Sequence, residues 1–113
     1  MRVVIYCRVA TVGQAETNPL KDQEQRLRAF AEAAGHDVVG CICETGSGLS
    51  LDRPGIRDIR RMAAGGEMDA VLALSLSCLA RNTADLLTLG KALQENGVGI
   101  LTAKEGAVLG PVT

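Results

Sequence analysis

Apolar residues along the chain gather into short continuous runs. These alternate with stretches in which apolar positions recur every three or four residues. Val3-Val4-Ile5-Tyr6-Cys7 has no polar break and is rich in β-branched residues, which predicts a strand buried on both faces. A polar loop follows from Thr11 to Asn18. Asn18-Pro19 predicts a helix start, because Asn can accept from orphan N–H groups and Pro suits the first helical position. Leu20, Leu27, Phe30, Ala31 and Ala34 form its apolar stripe, and Gly35 fits the left-handed position that ends many helices.

The pattern then repeats. Val38 to Cys43 is a second strand-like run, broken only by Gly40. Glu44 to Leu51 reads as a Gly/Ser-rich loop. Asp52 and Pro54 predict a second helix with Ile56, Ile59 and Met62–Ala63 on one face, stopped by Gly65-Gly66. Ala70 to Leu74 predicts a third strand. Asn82 or Thr83 starts a third helix with Leu86, Leu89 and Leu93 as its stripe, and Asn96-Gly97 ends it. Val98 to Leu101 is the fourth strand, and the tail after Lys104 carries no clear signal.

This βαβαβαβ alternation predicts an α/β three-layer sandwich: a mostly parallel sheet of four to five strands with helices on both faces and flavodoxin-like alternation. Its crossovers should be right-handed. Ligands of such sheets sit beyond the carboxyl ends of the strands, where the strand order reverses. The segments there are Arg8–Asn18, Glu44–Arg53, Ser75–Arg81 and the tail.

Composition narrows the function classes. The chain has 113 residues, enough for one domain with one core. An apolar share of 47% excludes a disordered chain. Tyr6 and Phe30 are its aromatics, so the core is aliphatic and a base-stacking platform is not supported. Twelve basic against 13 acidic residues give a formal charge of -1, so a non-specific DNA coat is not supported either. No apolar run approaches the roughly 20 residues that span a bilayer. A cytoplasmic location with reduced thiols is expected.

Of the four cysteines, Cys7, Cys41, Cys43 and Cys78, three lie in or beside apolar runs, where Cys acts as a small hydrophobe. Cys41-x-Cys43 lacks the CxxC spacing of a redox or zinc pair, and His36 is the sole imidazole, so no metal and no cofactor is expected. His36 reads as a solvated turn residue. Nucleotide-binding and hydrolase motifs such as GxGxxG, Walker A and GxSxG are absent. Three arginines remain in the ligand-side loops: Arg8 after the first strand, Arg53 before the second helix and Arg81 before the third. Guanidinium forks match phosphate oxygens, and helix N-termini already favour anions, so a phosphate or carboxylate pocket is expected if they converge.

The same residues carry a resemblance. Tyr6-Cys7-Arg8-Val9-Ala10-Thr11 with Gln14 is similar to the opening Y-x-R-V-S-T-x-x-Q of the serine recombinases (resolvases and invertases). Leu20-x-x-Gln23 with Leu27 resembles their first helix. Glu44-x-Gly46-x-Gly48 followed by Leu51-Asp52-Arg53-Pro54-Gly55 resembles D-x-x-S-G-x-x-x-x-R-P-G. Leu76 to Arg81 stands where the family writes L-D-R-L-S-R, and Asn96-Gly97-Val98 resembles E-x-G-V. The resemblance covers residues 2 to 105.

It implies attack of a serine hydroxyl on a DNA phosphodiester to give a 5′-phosphoserine linkage, with arginines stabilising the developing charge and no metal or cofactor. Carried over residue by residue, that site is degenerate. Ala10 holds the nucleophile position, Ser77 replaces a carboxylate, Cys78 an arginine and Ala80 the motif's second serine. Arg8, Arg53, Arg81, Gln14 and Gln23 remain as anion-binding candidates. Thr11, Cys78 and Cys7 are candidate substitute nucleophiles.

Residues 1–105 are therefore expected to form a resolvase-like catalytic-type domain and 106–113 a tail, without a helix-turn-helix DNA-binding domain. The implied function is DNA recombination of a kind that has lost strand exchange. The expected partners are DNA phosphate or a small anionic ligand, and a second copy of the chain in a homo-oligomer, with no membrane. Alternatives are a cleft reused to bind or convert a small anionic metabolite, and an accessory partner of an active recombinase.

Overall fold

The computed structural model describes residues 1–9, 19–45, 54–80, 83–104 and 108–109. The elements run β1 (Arg2–Val9), α1 (Pro19–Ala34), β2 (Asp37–Thr45), α2 (Pro54–Ala64), β3 (Ala70–Ala73), α3 (Leu76–Leu79), α4 (Thr83–Gln94), β4 (Gly99–Thr102) and β5 (Val108–Leu109). The sheet order is β2-β1-β3-β4-β5. The first four strands are parallel, and β5 pairs antiparallel with β4. The expected α/β sandwich with a mostly parallel sheet is what the chain adopts.

The helix boundaries follow the punctuation in the sequence. α1 begins at Pro19, and at its other end His36 N–H donates to Ala31 O at 2.8 Å while Gly35 takes φ 78°. α4 closes in the same way, with Val98 N–H on Leu93 O at 3.0 Å and Gly97 at φ 73°. These closures need a residue in the left-handed region, which Gly adopts without a Cβ clash.

Two elements were not foreseen. α3 is a single turn inside the segment read as a loop. It has no apolar stripe of its own to reveal it. β5 lies in the tail; with two residues it is too short for any periodicity to mark it. Phe30, placed on the apolar stripe of the first helix, is 37% exposed, while Leu27 and Ala31 bury that helix.

Side chains of β1 alternate between the two faces, as a pleated strand requires. Val4 and Tyr6 join Ile56, Ile59 and Ala63 of α2, Cys78 and Leu79 of α3, and Leu89 and Leu93 of α4. Val3, Ile5 and Cys7 join Leu27 and Ala31 of α1. The register of β1 on β2 slips between Val3 and Val4: Val3 faces Val38, but Val4 faces Gly40. The extra residue, Val39, is 45% exposed. Because strand side chains have period two, one inserted residue puts Val38 and Cys41 on the same face.

Among the described residues no helix is long and apolar enough to cross a membrane.

Candidate functional site

β1 lies between β2 and β3, so the chain leaves it in opposite directions. The order therefore reverses at β1 and β3, and the crevice beyond their carboxyl ends is the ligand position of this architecture. β1 outruns β3 there: the β1–β3 pairing stops at Tyr6 opposite Ala73, whereas β1–β2 pairing continues to Val9 opposite Thr45. Arg8 occupies this overhang.

The half-buried Arg8 side chain crosses to the α3 turn, and its Nε–H donates to Cys78 O at 2.9 Å. Its main chain is held from α1. Gln23 Nε2 donates to Arg8 O at 3.0 Å, and Arg8 N–H donates to Gln23 Oε1 at 3.3 Å. The Gln23 amide thus pairs with Arg8 as a neighbouring strand would. This fixes the backbone from which the guanidinium projects. Gln23 was expected as an anion ligand; its amide is turned to the Arg8 peptide groups.

On the β2 side of the crevice a buried phenol and a carboxylate meet. Tyr6 is fully buried, and its hydroxyl donates to Glu44 Oε2. The other oxygen, Glu44 Oε1, accepts from Gly55 N–H at 3.0 Å, in the first turn of α2. Glu44 therefore caps α2 from outside the helix and complements its positive end. A side chain at Gly55 would force Glu44 and Ile42 to shift. A Cβ would lie 2.5 Å from Glu44 Oε2 and 2.9 Å from Ile42 Cγ2. The Arg-Pro-Gly segment is thus explained in part by steric closeness between α2 and β2.

Cys78 is 9% exposed and its Sγ lies 3.6 Å from Ser75 Oγ. It faces the Tyr6 side of the sheet. Cys7 faces the opposite side and is fully buried. Burial above all, then the sulfurs of Cys43 and Cys41, push its thiol well above the ordinary range. The expectation that a nearby arginine would activate Cys7 as a nucleophile is therefore corrected. A buried thiol surrounded by other sulfurs resists forming the thiolate.

His36 sits between α1 and β2, at the end of the sheet away from the crevice. It is half-buried rather than solvated, and its Nδ1 has no hydrogen-bond partner. Ala10, Thr11, Gln14, Arg53 and Arg81 lie outside the described residues.

One grouping escaped the sequence reading. Cys7, Cys41 and Cys43 bring their sulfurs within 4.8 Å of one another on the α1 side. The spacing of Cys41 and Cys43 alone gave no such signal. Strand pairing supplies the third sulfur, since Cys7 stands opposite Cys43 in the register.

Comparison with known proteins settles the relationship. Residues 3–111 match the family model for the resolvase N-terminal domain. The chain belongs to the serine recombinase family. Its fold overlays the N-terminal catalytic domain of TP901-1 integrase with a TM-score of 0.84 at 28% identity, over 96% of this chain and 81% of that one. A resolvase family site-specific recombinase from Streptococcus pneumoniae gives 0.82 at 31% identity, over 96% and 75%. The C-terminal catalytic domain of ISC1926 TnpA, an IS607-like serine recombinase, gives 0.82 at 29% identity, over 90% and 69%.

Proposed function

We propose that this serine recombinase domain binds a phosphate-bearing or similar anionic ligand in the Arg8 crevice but does not cleave DNA. Ala10 carries the reading: it stands where the family places the attacking serine, and a methyl group brings no oxygen to phosphorus. Loss of a covalent nucleophile costs several orders of magnitude in rate. Ser77, Cys78 and Ala80 depart from the family pattern as well, so the change at Ala10 is one of several in the same site. Arg8, Arg53 and Arg81 are retained, and with Gln14 they are the assigned anion ligands. Gln23 acts through the placement of Arg8.

The charge of -1 favours one anionic group over an extended polyanion. This supports a second reading, in which the crevice holds a small phosphorylated or carboxylated metabolite. Association with a second copy, or with an active relative, belongs to the same proposal, since this fold in its relatives carries recombinase chemistry.

Titration of the folded domain with inorganic phosphate, a short phosphodiester and a carboxylate, followed by amide NMR, tests the proposal. Saturable shifts at Arg8, Gln23 and residues 75–80 are expected, with Arg8→Gln weakening affinity at least about tenfold. Linear, non-saturating shifts with every anion would overturn it.

A further inference from the structure

The thiols on the α1 side of the sheet use none of the residues of the crevice side chains. Cys41 and Cys43 are two apart in β2 and so share a face, and their sulfurs are 3.8 Å apart. Cys7 joins them from the adjacent strand, and the three sulfurs lie within 4.8 Å of one another. α1 lies over this face and supplies a carboxylate: Glu24 Oε1 is 3.9 Å from Cys43 Sγ. The other oxygen, Glu24 Oε2, is held at 2.8 Å by Arg28 Nε. All four cysteines are free thiols.

We propose that Cys7, Cys41, Cys43 and Glu24 form a binding site for one thiophilic d10 cation, of the Zn2+ class.

Tetrahedral Zn2+ with bonds of about 2.3 Å to sulfur separates its sulfur ligands by about 3.8 Å. Cys41 and Cys43 already stand at that separation. Cys7 Sγ, within 4.8 Å of both, must close by at most about 1 Å to reach the same separation. A disulfide would use two of the three sulfurs, whereas a cation uses all three and takes a fourth ligand from Glu24 Oε1, which must move in from 3.9 Å beside Cys43 Sγ. Each ligating thiol releases its proton to solvent as its bond to the metal forms. Arg28 fixes which Glu24 oxygen faces the sulfurs, as outer partners of metal ligands commonly do. Cys43 is exposed and gives the ion access, while buried Cys7 forms the floor. Occupancy would clamp α1 to β1 and β2 one residue from Gln23, which grips Arg8. The inference is independent of what the crevice binds.

The test is titration of the reduced chain with Cd2+, held in a non-thiol reductant, against a competing chelator. The expected result is one ion per chain, a sulfur-to-metal charge-transfer band in the ultraviolet, and a raised melting temperature. Cys41→Ser and Cys43→Ser, at partly exposed positions, should each weaken the band by about a third and lower affinity, and Cys78→Ser should keep both. Arg28→Gln and Glu24→Gln retain every thiol, so the band should persist while affinity falls about tenfold or more. Absence of a band in the folded wild-type chain overturns the proposal. So does a band of undiminished intensity and affinity in both Cys41→Ser and Cys43→Ser. Unchanged affinity in Glu24→Gln contradicts the four-donor site.

Discussion

Two sets of side chains leave the same strand and meet different chemistry. On one face of β1, Val4 and Tyr6 pack on α2 and α4, and the face ends at Arg8, whose guanidinium reaches the α3 turn. On the other, Val3 and Ile5 pack on α1, and the face ends at Cys7 among two further thiols. One face terminates in a cation suited to anions and the other in soft donors suited to cations. Period-two alternation alone separates them, because adjacent residues of a strand point to opposite sides.

The comparison is broken most strongly at Gly55. Gly55→Ala forces a Cβ against Glu44 and Ile42, so it should destabilise the fold by about 3 kcal/mol through overpacking and a displaced charged hydrogen bond. Chemical denaturation measures this, and thiol reactivity on the α1 side should stay as in the wild type under native conditions. Next comes Tyr6→Phe, which leaves one Glu44 oxygen without its phenol; a loss of about 2 kcal/mol is expected. A loss under about 0.5 kcal/mol would mean that the pair contributes little despite its burial.

How far these two faces were legible in the sequence differs for a physical reason. The described part of the crevice face could be read because Tyr6 and Arg8 belong to one contiguous motif and Pro54-Gly55 to another. The helix limits at Pro19, Gly35 and Gly97 were legible too, since each residue type answers a local backbone demand. The thiol face was not. Its three sulfurs come from two strands, and they share a side only because the slip at Val39 shifts the alternation of β2. Local patterning carries no record of such a bulge. The same holds for Glu44, whose bond to Gly55 spans a loop. The anchoring of the Arg8 backbone by Gln23 was hidden for a similar reason, since it depends on how α1 lies across the end of β1.

Arg8→Gln sharpens the contrast at smaller amplitude. Anion affinity should fall by about 1.4 kcal/mol, a factor of about ten, as read by titration, while Cd2+ affinity at the opposite face should not change. Equal losses at both sites would mean that the faces are coupled.

The smallest effect is expected at the far end of β1. Asp69 accepts from the Arg2 side chain and backbone, and these hydrogen bonds lower its carboxyl below the usual range. Its folded value is depressed, so its contribution is present above the unfolded carboxylate value and is lost as pH falls through the folded one. The pair is exposed, so a slight acid-side loss of stability is expected, removed by Asp69→Asn and reduced by salt. Denaturation midpoints of wild type and Asp69→Asn across the acid range check this.

The proposed loss of DNA cleavage rests on position 10, where this chain has Ala and the resemblance implies a nucleophilic serine. Incubation of the purified chain with supercoiled DNA in metal-free buffer, followed by denaturation and peptide mass spectrometry, tests this directly. No covalent protein–DNA species is predicted. A nucleotide joined through phosphate to Thr11, Cys78 or any other side chain of the chain would contradict it.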